Sequence, residues 1–124
     1  MAAPRILVAE DEGLAAMALE DELLREGYAV TLAPDGLAAL EAAAQEPPDL
    51  LLTDLRMPRL DGSALIRALR AARPDLPVVV MTGYAPAGGA AAFAADGEAP
   101  ISLFAKPLDM DAVLAELRKL LNRP

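Results

Sequence analysis

Cysteine, histidine and tryptophan are all absent from the 124 residues. Without thiols there is no disulfide framework and no thiolate nucleophile. Without imidazole there is no Ser/His/Asp triad and no ordinary zinc site. Aromatic residues make up only 3% of the chain, which leaves few platforms for base stacking. Basic charge is scarce as well: the net charge is −8 and the pI about 4.4, so phosphate backbones are repelled and nucleic acid is not an expected partner. No apolar run approaches the roughly 18 residues of a membrane span. Residues 1–10 carry Arg5 and Glu10 around a short apolar stretch, which fits neither a secretory signal nor a transit peptide. A cytoplasmic protein with no membrane partner is expected.

Apolar residues amount to 55% and charged residues to 24%, a globular composition at a length typical of one domain. The expectation is a single domain over 1–124 with no output domain attached. Short apolar runs at 6–9, 29–33, 50–53, 78–81 and 101–105 alternate with helix-period segments. That alternation predicts an α/β domain with a parallel sheet covered on both faces. Residues 14–26 place Ala16, Leu19 and Leu23 on one helical face, and residues 37–45 do so with Leu37, Leu40 and Ala44. Asp61 reads as the N-cap of a helix bearing Leu65, Leu69 and Ala72, with Pro74 beyond its end. The last helix carries a stripe of Met110, Val113, Leu114, Leu117 and Leu121. Glycines and prolines flank a short Ala-rich core within 83–100, where a short fourth helix is expected.

The polar residues that could carry chemistry sit where the apolar runs end. Glu10 and Asp11 follow the first, Asp54 the third, Thr82 the fourth and Lys106 the fifth. In open α/β sheets ligands bind outside the carboxyl ends of the strands, and a strand order of 2-1-3-4-5 would bring these five residues together. Carboxylates held that close repel one another unless a hard dication with oxygen ligands sits among them. Magnesium is the natural candidate, with manganese as a substitute, bound by Asp11 and Asp54 and reached by Glu10 through a water. Taken singly, each residue has a plainer reading. Asp54 could be a strand-end turn residue, Glu10 to Glu12 a solvated acidic turn, Thr82 a turn residue and Lys106 an exposed lysine ahead of a strand-ending proline.

The segments ILVAEDE, LLLTDLRMPRLDG, VVVMTGY and LFAKPL, in this order and spacing, resemble the receiver domains of bacterial response regulators over nearly the whole chain. The resemblance implies a flavodoxin-like (βα)5 fold and phosphorelay signalling. Asp54 would accept a phosphoryl group from a phosphohistidine on a histidine kinase or histidine phosphotransfer protein, and the product would switch contacts with a downstream protein. It further implies that Glu10, Asp11, Asp54 and the backbone carbonyl of Arg56 hold the magnesium. Lys106 and the Thr82 hydroxyl would engage phosphoryl oxygens, and Pro107 would follow Lys106 through a cis bond. The apolar run of Leu14 to Met17, beside the acidic pair, resembles the region where receivers dock their kinase. Such a chain would catalyse only its own phosphorylation and dephosphorylation and would not be an enzyme acting on a separate metabolite.

The pattern departs from many receivers at Leu103, where a Tyr or Phe commonly reports phosphorylation together with the Thr hydroxyl. Phe104 comes one residue late and should face the other side of the sheet. Tyr84 within TGY resembles a receiver subgroup without that aromatic, which makes Thr82, Tyr84 and Leu103 the residues where the switch is expected. Two other readings compete. A phosphatase with an Asp nucleophile usually carries a second Asp two residues later, where this chain has Arg56. A phosphorylation-independent binding module tends to lose the acids or the lysine, and here all are present.

Overall fold

The structure is a computed structural model that describes residues 3–83 and 101–122. Five strands are formed: β1 (Arg5–Ala9), β2 (Ala29–Ala33), β3 (Leu50–Asp54), β4 (Val78–Thr82) and β5 (Ile101–Ala105). The described residues also form four helices, α1 (Gly13–Arg25), α2 (Gly36–Gln45), α3 (Gly62–Ala72) and α4 (Met110–Leu121). All neighbouring strands are parallel, in the order β2-β1-β3-β4-β5. This is the expected flavodoxin-like order, in which the chain reverses direction of growth after β2. The helix expected within 83–100 falls almost wholly on 84–100, outside the described residues.

Burial explains why the strands read as unbroken apolar runs. β3 and β4 are buried at every position, because helices cover both faces, whereas the edge strands β2 and β5 are only half buried over most of their length. Side chains alternate across the sheet and feed two cores. Ile6, Val8, Leu50, Leu52, Val79 and Met81 pack under α1 and α4, against Leu19, Leu23, Val113 and Leu117. Leu7, Ala9, Leu51, Val78 and Val80 face the other way, against Ala39 and Ala43 of α2 and Leu65 and Ile66 of α3. Among the described residues no helix is long and apolar enough to cross a membrane.

Two helix faces differ from the periodicity. In α3 Ala72 of the expected stripe is exposed, and Ile66 and Arg70 are buried beside Leu65 instead. In α2 the buried residues are Gly36, Ala39 and Ala43, while Leu37 and Ala44 of the expected stripe are exposed. The cause is close packing. A Cβ on Gly36 would lie 2.2 Å from the Leu60 carbonyl oxygen, so the helix turns its smallest residues toward the sheet and the loop between β3 and α3. In a segment this rich in alanine, hydrophobicity alone does not distinguish the two faces.

Candidate functional site

The register of the sheet assembles the carboxyl-end residues without help from any local motif. Ala9 pairs with Thr53, so the next residues, Glu10 and Asp54, lie side by side. Thr82 pairs with Ala105, which places Lys106 one step beyond the end of β4, where its backbone N–H donates to the Thr82 carbonyl at 2.8 Å. Glu10, Asp11 and Asp54 each offer a carboxylate oxygen, and these oxygens lie within 4.8 Å of one another. The Lys106 ammonium bridges two of them, at 2.8 Å from Asp54 Oδ2 and 3.1 Å from Glu10 Oε2. Four of the five predicted side chains are therefore gathered at one point, and Thr82 is buried at the adjacent strand end.

Asp54 is held by backbone as well as by charge. Its Oδ1 accepts the Leu55 N–H at 2.7 Å and the Arg56 N–H at 3.4 Å, which turns the carboxylate toward the start of the loop over 55–61. The Thr53 hydroxyl donates to the Asp54 carbonyl at 2.8 Å. Glu10 is more deeply enclosed, with 1% of its side chain exposed, and Oε1 accepts the Glu12 N–H at 3.2 Å. Asp11 is exposed at the mouth of the site. The peptide bond between Lys106 and Pro107 is cis, as expected.

These surroundings set the protonation of the site. Burial pushes the Glu10 carboxyl above its usual 4.5, opposed by the hydrogen bond from Lys106 and reinforced by the Asp54 charge. Burial also works against the Lys106 ammonium, but its hydrogen bonds to Asp54 and Glu10 prevail and its pKa is raised. Three carboxylates against one ammonium leave a surplus of negative charge when all are ionised, and an all-oxygen donor set suits a hard dication.

A raised carboxylate pKa favours the folded state below pH 4.5, and that contribution is lost as pH rises through the folded value. Near neutral pH the ionised Glu10 therefore costs the metal-free fold stability. Glu10→Gln is expected to raise the melting temperature of the metal-free protein at pH 7 and to flatten its pH dependence above 4.5. The same variant should bind magnesium more weakly, which calorimetric titration would reveal.

Leu103 and Phe104 take opposite faces of β5. Leu103 packs with the α2 and α3 core and Phe104 with the α1 and α4 core. Thr82 is two residues beyond Val80, the register partner of Leu103, so Leu103 is its diagonal neighbour and Phe104 is not. Tyr84, expected to take part in the switch, lies outside the described residues. Sequence reading missed the ion pair of Asp35 with Arg59, 2.8 Å apart, beside the loop that follows Asp54. Asp35 directly before Gly36 is a recognisable cap signal, but a partner 24 residues away leaves no local trace.

The profile described as "Response regulator receiver domain" matches residues 6–118. The curated protein Response regulator MprA of Mycobacterium ulcerans is 39% identical over 122 residues, which cover 96% of this chain and 50% of that protein. MprA of Mycobacterium tuberculosis strain H37Ra is 38% identical, with 96% and 51% covered. The chain thus spans about half the length of the curated relatives it matches. Among solved structures, the receiver domain of Francisella response regulator 1452 superposes with a TM-score of 0.86 at 26% identity, covering 97% of this chain and 98% of that one. A receiver domain protein from Methanospirillum hungatei gives 0.87 at 25% identity, with 97% and 94% covered.

Proposed function

This chain belongs to the response regulator receiver domain family, and from that premise we propose that Asp54 is its phosphoryl acceptor, served by Lys106, Thr82 and a magnesium ion. Receiver domains act in two-component phosphorelay signalling, and response regulators receive phosphoryl groups from histidine kinases. The observation that carries the residue assignment is the convergence of three carboxylates with the Lys106 ammonium at 2.8 Å from Asp54.

In the reaction, an Asp54 carboxylate oxygen attacks phosphorus, a phosphorus–oxygen bond forms, and the bond from phosphorus to the donor histidine nitrogen breaks. Lys106, already aimed at Oδ2, is positioned to hold a phosphoryl oxygen as charge spreads onto it. Glu10, Asp11, Asp54 and the Arg56 carbonyl are the groups that would hold magnesium, which when bound neutralises charge on the transferred group. The buried Thr82 is suited to hydrogen-bond another phosphoryl oxygen. Such a bond to a charged group is worth about 1.5–3 kcal/mol, enough to shift a two-state domain substantially if it forms only after phosphorylation.

The donor is a histidine kinase or a histidine phosphotransfer protein, and α1 is the surface proposed to meet it. Leu14 and Met17 stand 81% and 62% exposed one turn apart, next to the acidic pair. Replacing both by Glu is expected to slow transfer from a phosphohistidine protein at least tenfold while leaving labelling by a small acyl phosphate unchanged. Equal slowing of both would remove α1 from this role. The acceptor assignment itself is tested by intact-mass measurement of wild type and Asp54→Asn after incubation with magnesium and acetyl phosphate.

A further inference from the structure

Seven residues, 55–61, carry the chain from Asp54 at the end of β3 to the start of α3. Its neck is closed by the Gly62 N–H, which donates to the Leu55 carbonyl at 2.8 Å, and its far end turns tightly through a bond from the Leu60 N–H to the Pro58 carbonyl at 2.8 Å. Within that turn Arg59 has φ of 68°, and it is the one described non-glycine residue in the left-handed region. Strain of this kind persists where surrounding contacts overdetermine it, and it gathers near functional sites.

The contact that overdetermines it comes from α2. The Arg59 guanidinium lies 2.8 Å from Asp35 Oδ2 and 2.9 Å from Oδ1. The same Asp35 caps α2 by accepting the Ala38 N–H at 2.8 Å, and Leu60 rests against Gly36. Arg56 lies between the neck and this tie, and its N–H, with that of Leu55, orients the Asp54 carboxylate. We infer that Asp35 and Arg59 are positioning residues for phosphoryl acceptance: their ion pair clamps the 55–61 loop to α2 and so presets the Arg56 carbonyl and the Asp54 carboxylate for the cation. The inference rests on the magnesium and Asp54 assignments above. It adds a pair that touches neither cation nor phosphoryl group.

Because glycine accepts the left-handed conformation, Arg59→Gly removes the clamp and the strain together. Asp35→Asn keeps the α2 cap, which asparagine supplies as well as aspartate, and removes only the charge partner. Calorimetric magnesium titration of the full chain is expected to give each variant about a fivefold weaker affinity than wild type, with melting temperatures of the metal-free proteins little changed. The double variant should be no weaker than either single one, because both remove the same interaction. Arg59→Lys should recover part of the affinity. Wild-type affinity in both single variants, or a loss matched by a fall in melting temperature that Arg59→Lys does not recover, would overturn the clamp. A wild-type chain that neither binds magnesium nor is labelled at Asp54 would overturn the acceptor assignment and the clamp with it.

Discussion

Incubated with magnesium and acetyl phosphate, the wild-type chain is expected to gain the mass of one phosphoryl group, and Asp54→Asn to gain none. The step needs an anionic oxygen to form the new bond to phosphorus as acetate leaves, and the asparagine amide is a far weaker nucleophile of nearly the same shape. The neighbours that help Asp54 stay in place in the variant. Lys106 keeps its contact with Glu10, 3.1 Å away, and the amide oxygen can still accept the Leu55 N–H. Loss of labelling would thus report chemistry and not collapse of the site, and an unchanged melting curve would confirm it. The chain has 19 acidic side chains, so the stoichiometry matters: one group on the wild type and none on the variant selects Asp54 from all of them. Chelating the magnesium should stop wild-type labelling as well. A label that survives Asp54→Asn would move the acceptor elsewhere, and no label on either protein would favour a binding module that does not use phosphorylation.

Much of the frame was legible because buried parallel strands are written as short apolar runs. β2 and β5 have the predicted bounds, and β1, β3 and β4 differ by a single residue at one end. The site was legible for a related reason. Each functional residue ends or follows a strand, and a parallel sheet in this order can only bring those ends to one edge. Illegible features depend on contacts between distant segments or on small residues. Arg70 is nearly fully buried with its Nε and Nη2 donating to the Leu76 carbonyl, a place on the core side of α3 that the stripe of Leu65, Leu69 and Ala72 does not announce. The α2 face was misread because alanine suits either side of a helix. The Arg59 turn was invisible because only its pairing with Asp35 explains it. Leu103 was read correctly as facing away from Phe104, since strand alternation is purely local.

Gly62 is where local reading was least informative about the site, and its substitution carries the other large expected effect. Asp61 and Gly62 look like an ordinary cap and turn, and Asp61 does cap α3 through the Ala64 N–H at 2.9 Å. The glycine, however, lets the first turn of α3 press against the end of β3. A Cβ there would lie 2.2 Å from the Asp54 carbonyl oxygen and 2.9 Å from Leu55 Cα. Both are backbone atoms and cannot rotate aside, so Gly62→Ala must push the start of α3 away from the acceptor residue. Overpacking of this kind costs roughly 1–3 kcal/mol, and the upper end is expected where backbone meets backbone. Gly36→Ala offers a matched comparison. Its Cβ would come equally close to the Leu60 carbonyl, at 2.2 Å, but touches nothing on Asp54. Thermal unfolding should show both variants destabilised. Labelling by acetyl phosphate should separate them, because displacing a reacting group by about 1 Å can slow a step by as much as 100-fold. Gly62→Ala is expected to lose most of its labelling rate at temperatures where it remains folded, and Gly36→Ala, which reaches Asp54 only indirectly through Leu60 and the clamped loop, to lose a smaller share. Equal rates in the two folded variants would mean that the packing of α3 against β3 does not hold the Asp54 carboxylate in its reactive position.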